Sequence, residues 1–228
     1  MNHLRRIMTG VCVCSALAGL TASSASAVKP SLLLIASGSK KPVAVGAELL
    51  VELREAEVRT STGTANCGSL ILPSRVIANG GSSIQIELQH AEEQSQCSGK
   101  GAMPFSSSSY LWYWGNFPFN HGFGEIVMKP KGKSTSTGKA ELLPSPSTTD
   151  NVVFAATESG LTRECDYTYK KVKGSWFSGP LAETALEKGN KLKFSGAENE
   201  PRCPKTAVVS ILFELRQAGV GPVEVEVV

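Results

Sequence analysis

The strongest constraint on this chain is a series of short alternating apolar stretches divided by turn residues. In "SSIQIELQH" (82–90), Ile84, Ile86 and Leu88 alternate with Gln85, Glu87 and Gln89. A period of two is that of a strand with one face buried and the other wet. Asn79-Gly80, just before it, is a hairpin turn signal, so "SLILPSRVIA" (69–78) is expected to pair with it. "NVVFAATES" (151–159), "CDYTYKKVKGSWF" (165–177), "NKLKFSG" (190–196), "TAVVSILFEL" (206–215) and the terminal "VEVEVV" read the same way. "AELLVELREAEVRT" (47–60) has Leu49, Leu50 and Leu53 at helical spacing, yet it also alternates from Val51 to Leu53; after the "PVAVG" start it reads as a strand. One helix is expected, "LAETALEKG" (181–189), closed by Gly189 after Lys188. The class is therefore all-β: a disulfide-bonded antiparallel β-sandwich, as one unit or as two small related lobes.

The lobes would be residues 28–128 and 151–228, joined by a loop at 129–150, where lysines, prolines and small hydroxyl residues crowd together. An internal echo supports them. Residues 83–97 and 191–203 each run strand, acidic loop, cysteine.

The first residues address the compartment. Arg5 and Arg6 precede an uncharged apolar run from Ile7 to Leu20, and Ser24, Ala25 and Ala27 suit a signal peptidase. This is the pattern of a signal peptide over residues 1–27, and the apolar run is too short to span a bilayer. A secreted, extracellular product with no membrane span is expected. Its removal takes two of the 23 basic residues and none of the 20 acidic ones, leaving a formal charge of +1. Such a chain lacks the field that draws nucleic acid.

Four cysteines remain, Cys67, Cys97, Cys165 and Cys203. An even number in an oxidising compartment implies two disulfides. Three connectivities are open; the sequential one, Cys67–Cys97 and Cys165–Cys203, closes each half on itself. No C-x-x-C or nearby His pair provides zinc spacing, so no metal is expected.

Catalytic parts are few. His90, His121, Asp150 and Asp166 are the only histidines and aspartates of the mature chain. The G-x-S-x-G elbow and the H-E-x-x-H motif are absent from the sequence, and no cofactor is expected. Glu87, Glu92, Glu93 and Glu125 are candidates for a carboxylate pair, and "HGFGE" (121–125) is the sharpest local alternative.

Several segments carry a resemblance. "VAVGAELL", "ECDYTYKKVKGSW" around Cys165, "KLKFSG" and "RCPKTAVVSILFEL" together resemble exported β proteins of unassigned function that are abundant in some actinobacteria. In those proteins a cysteine opens one strand and a second, in a C-P-K context, opens a later one. The resemblance spans about residues 30–228, most clearly 150–215, and implies a β-sandwich-like exported module with no catalytic residue to carry over.

The segment 110–119 lies outside that pattern, within a stretch, 105–123, that holds eight of the fifteen aromatic residues. As a strand, Tyr110, Trp112 and Trp114 share one face, with Leu111 and Tyr113 on the other. Such a face, with Asn116 and His121 beside it, suits stacking on sugar rings; it also suits a core strand, since each ring brings roughly 150–250 Å² to bury, and the apolar character of both faces favours the core. The functional expectation is an exported non-catalytic binding or structural module, with polysaccharide or another cell-envelope component as partner. A secreted hydrolase and a protein-binding adhesin or inhibitor are the alternatives.

Overall fold

The computed structural model describes residues 31–89, 94–99, 101–115, 124–132, 136–144, 151–178, 184–186, 190–194 and 202–228. Residues 1–27, expected to be a signal peptide, lie outside them. The strands are β1 (Leu32–Ala36), β2 (Lys41–Pro42), β3 (Glu48–Thr60), β4 (Thr64–Cys67), β5 (Leu70–Ala78), β6 (Ile84–Leu88), β7 (Ser95–Ser98), β8 (Ser109–Gly115) and β9 (Gly124–Pro130). They continue with β10 (Thr137–Leu143), β11 (Asn151–Glu158), β12 (Leu161–Thr168), β13 (Val172–Phe177), β14 (Thr184–Leu186), β15 (Asn190–Phe194), β16 (Thr206–Gln217) and β17 (Gly221–Val227). The expected all-β, antiparallel, disulfide-bonded class is what the chain adopts.

Most of these strands are halves of longer runs. β4 and β5 both lie against β3; β7 continues β6; and the pairs β8–β9, β10–β11, β12–β13 and β14–β15 each make one interrupted run. Each run pairs antiparallel with the next, and β16 returns to pair along β3. Among the described residues the meander thus closes on itself, and its walls pack on a shared core as the layers of a sandwich do. Segments from 28–128 and 151–228 meet along three seams, β3–β16, β8–β11 and β1–β17.

Apolar side chains point in and charged ones out, the reverse of a lipid-spanning barrel. On β3, Leu49, Val51 and Leu53 face the core, and after Glu55 the phase shifts so that Ala56 and Val58 do. Glu55 has a left-handed φ of 49°, and opposite it Ile211 alone faces two β3 residues. This is a β-bulge, whose extra residue re-aims the strand. Outward on this seam Glu52 stands directly across from Glu214. Arg54 bridges both carboxylates at 2.8 and 3.0 Å, and Arg216 reaches Glu214 at 2.9 Å, offsetting the like-charge pair. No helix among the described residues is long and apolar enough to cross a membrane.

The ends of the ring are closed differently. After β16 the chain turns into β17, which pairs with β1, and β1 pairs with β2. Asn79, in the β5–β6 turn, ties this small sheet down: its Nδ2 donates to the carbonyls of Leu34 (3.0 Å) and Val43 (2.6 Å), and its Oδ1 accepts from Leu34 N (2.7 Å). At the opposite end Ala102 and Met103 are buried, and the Tyr167 hydroxyl donates to Pro204 O at 3.0 Å. Both disulfides have the sequential connectivity, Cys67–Cys97 and Cys165–Cys203, closing separations of 30 and 38 residues. Each is worth roughly 3.5–4 kcal/mol by restricting the unfolded chain.

Two expectations are corrected. The helix expected at 181–189 is not formed: Thr184–Leu186 is a strand wedged between β13 and β16, and the rest of that segment lies outside the described residues. Within 129–150, Thr137–Leu143 is not loop but strand β10. Gly138, Ala140 and Leu142 face inward there, the alternation being masked in sequence by Lys139 and Glu141 on the wet face.

Candidate functional site

The direction of the aromatic strand decides where a site can lie. β8 pairs with β7 on one side and with β11 on the other, and its even-numbered residues face the core. Trp112 is 0 % exposed, Trp114 1 % and Tyr110 4 %. Of the two readings open for this face, the favoured core strand is what forms, and the exposed stacking platform is corrected: all three rings are core. Each indole finds an acceptor inside, as buried tryptophan requires: Trp112 Nε1 donates to Gly68 O and Trp114 Nε1 to the Tyr169 hydroxyl, both at 3.1 Å. Edge-to-face contacts extend from Phe105 through Tyr110, Phe154 and Tyr167 to Phe194, with centroids 5.3–6.2 Å apart. Asn116 and His121, the polar residues expected beside the platform, lie outside the described residues, as do His90, Glu92, Glu93 and Asp150.

The turn before the strand is fixed locally. Glu158 Oε1 at the end of β11 accepts from the backbone N and, at 2.7 Å, the hydroxyl of Ser106. These hydrogen bonds hold the Glu158 carboxyl below the usual carboxylate range. The serine run thus closes a turn against β11.

The other face of β8 carries the candidate site. Leu111 points outward, with Gln96 across from it on β7 and Ala155 on β11; Ala155 in turn faces Glu164 on β12. One step along lies a second transverse row, Tyr113, Val153 and Asp166. Tyr113, Val153 and Ala155 form a small outer apolar cluster. Ala155 is the smallest side chain in its row, and over it the surface sinks into a cavity of about 440 Å³. Its walls include Gln94, Gln96, Tyr113, Thr162 and Glu164, and Leu111, 37 % exposed, supplies apolar surface.

The electrostatics of this groove are set by two acids on one strand face. Tyr113 donates its hydroxyl to Glu164 Oε1 at 3.4 Å, and burial, then the Glu164 and Asp166 charges, push its pKa up. Asp166 is pushed up to about 6, first by burial and then by Glu164. The arrangement combines side-chain amides, hydroxyls and carboxyls around an apolar patch, which gives alternating donors and acceptors to a polar ligand.

A second acidic pair joins two glutamates named as carboxylate candidates. Glu87 on β6 is the cross-strand partner of Glu125 on β9. Burial first, and the Glu87 charge second, raise the Glu125 pKa, while Lys129 opposes them. The chain matches no protein-family model, no curated protein and no solved structure.

Proposed function

We propose that the protein is an exported, non-catalytic module that holds a carbohydrate in the outer groove of β7, β8, β11 and β12. One observation carries this reading: the cavity of about 440 Å³ is lined by polar groups around a partly exposed Leu111. Sugars offer hydroxyls at their rims and C–H faces between them. Gln94, Gln96, Thr162 and Glu164 match the first, and Leu111 the second, in the usual manner of small-molecule sites. The two disulfides fit an oxidising, extracellular environment. With the Arg5-Arg6 start and the small-residue end at Ala27, they support export by a signal peptide. The C-P-K context of Cys203 supports kinship with the exported actinobacterial β proteins that the chain resembles.

Calorimetric titration of the mature protein against a panel of neutral glycans tests this. Binding by at least one, lost in both Gln96→Ala and Leu111→Asp with unfolding temperature retained, is the expected result. Silence across the panel, or binding unaffected by either substitution, overturns it. A hydrolase is a second reading, favoured by Asp166 beside Glu164. Turnover of a bound glycan that vanishes in Asp166→Asn would select it over simple binding.

A further inference from the structure

We propose a second binding site, independent of the groove: a lysine-lined cleft between the β12–β13 turn and β15 that takes one strand of an anionic polysaccharide. Lys170 and Lys171 stand in the turn, and Lys191 and Lys193 point outward from β15; between them lies a cleft of about 320 Å³ with Thr168 and Tyr169 in its lining.

The charge there is unbalanced. Several cations elsewhere on the surface meet carboxylates: Lys40 with Glu224, Arg54 and Arg216 with Glu214, Arg163 with Glu158. In the cleft, Lys171 meets Glu141 at 3.0 Å, but Lys170, Lys191 and Lys193 have no carboxylate partner among the described residues. Like charges gathered around a concave site raise the local concentration of anions.

The frame that carries them is fixed. Where β12 gives way to β13, Asn190 replaces a piece of strand pairing: its Nδ2 donates to Lys173 O at 2.8 Å and its Oδ1 accepts from Lys173 N at 2.7 Å. Asn190 is buried, so this bridge is shielded from water. Tyr169, in the same turn, is held by the Trp114 indole. The two banks are thereby set apart by side-chain hydrogen bonds.

The cations are all lysines, compact point charges with rotatable donors that suit sulfate, phosphate or carboxylate groups spaced along a polymer. Stacking on nucleic-acid bases needs exposed rings, and Tyr169 is buried. A cleft engages a single polymer strand rather than the plane of a bilayer.

The test uses the mature full-length protein with heparin as the sulfated-glycan probe and neutral dextran as the uncharged one. Heparin is expected to bind with an affinity that falls steadily with salt, as release of counterions dictates. Lys191→Gln with Lys193→Gln is expected to weaken binding about tenfold and to flatten the salt dependence. Lys129→Gln with Lys139→Gln, an exposed cross-strand pair on other strands, leaves it unchanged. Failure to bind heparin at low salt overturns the proposal, as does equal loss in both double variants. Tighter binding of single-stranded DNA of matched charge, or of vesicles rich in anionic lipid, overturns the choice of polysaccharide. Neutral glycan binding in the groove is measured separately, so either site can fail alone.

Discussion

Trp114 donates its indole Nε1–H to the Tyr169 hydroxyl across 3.1 Å, and the two rings meet edge-on with centroids 5.3 Å apart. This contact ties the aromatic strand β8 to the turn between β12 and β13, 55 residues later in the chain. Tyr169→Phe keeps the ring but leaves a buried indole donor without its acceptor. The loss is expected to be about 1–3 kcal/mol, which for a domain this size lowers the unfolding temperature by roughly 2–4 °C per kcal/mol. Differential scanning calorimetry reads it, and an unchanged midpoint would mean that the hydrogen bond contributes nothing net.

Gly138 tests the packing of the opposite wall. It is the cross-strand partner of Trp176, whose Nε1 donates to Lys129 O at 2.9 Å, so the indole lies across the glycine. A Cβ added at Gly138 would collide with both the Lys129 carbonyl and the Trp176 ring. Gly138→Ala is therefore expected to cost about 3 kcal/mol through overpacking. At Gly38 a Cβ meets nothing within 4 Å, so Gly38→Ala is the neutral control. Urea titration followed by tryptophan fluorescence compares the two.

Asp166 predicts a pH dependence of definite sign. Its folded pKa, about 6, is raised above the ordinary aspartate value of 3.8 by burial and by Glu164. The folded state therefore holds this proton more tightly than the unfolded chain. The contribution to stability is fully present below pH 3.8 and is lost as pH rises through about 6. Because Asp166 is only half-buried, solvent screening limits the effect to about 1–2 kcal/mol. The folded pKa of Glu224 is lowered, mainly by Lys40, which gives the opposite slope at acid pH. The difference between the native protein and Asp166→Asn isolates the effect. The unfolding midpoint of Asp166→Asn relative to native should rise between pH 4 and pH 6.5; parallel curves would remove Asp166 as the cause.

The strands were legible wherever one face was buried and the other wet, as in Ile84, Ile86 and Leu88. β3 was ambiguous for a physical reason: Leu50 stands on the outer face between the core-facing Leu49 and Val51, so Leu49, Leu50 and Leu53 acquire helix-like spacing. Residues 184–186 have helical propensity but fill a gap between β13 and β16, and tertiary pairing overrides propensity there. The direction of Trp112 and Trp114 was hidden because Leu111 and Tyr113 make both faces of β8 apolar. Only the register with β11 shows that Val153 and Ala155 shelter Tyr113 outside while Phe154 meets Tyr110 inside. The groove was hidden too, since it exists because Ala155 falls between Leu111 and Glu164 on neighbouring strands.

Tyr110 offers the converse of Tyr169. Its ring is 4 % exposed and packs edge-on against Phe105 and Phe154 at 5.3 and 6.2 Å, but its hydroxyl is buried with no hydrogen-bond partner among the described residues. Burial pushes its pKa up to about 12, as expected for a phenol that finds no stabilisation for its anion. A hydroxyl taken out of water without a new partner costs free energy, so its removal is a gain. Tyr110→Phe keeps both ring contacts and discards the orphan oxygen. It is expected to raise stability by about 1 kcal/mol, whereas the same chemical change at Tyr169 lowers it. Chemical denaturation of both variants side by side decides the matter: opposite signs support the hydrogen-bond assignments, and equal destabilisation would mean that the Tyr110 hydroxyl has a partner after all.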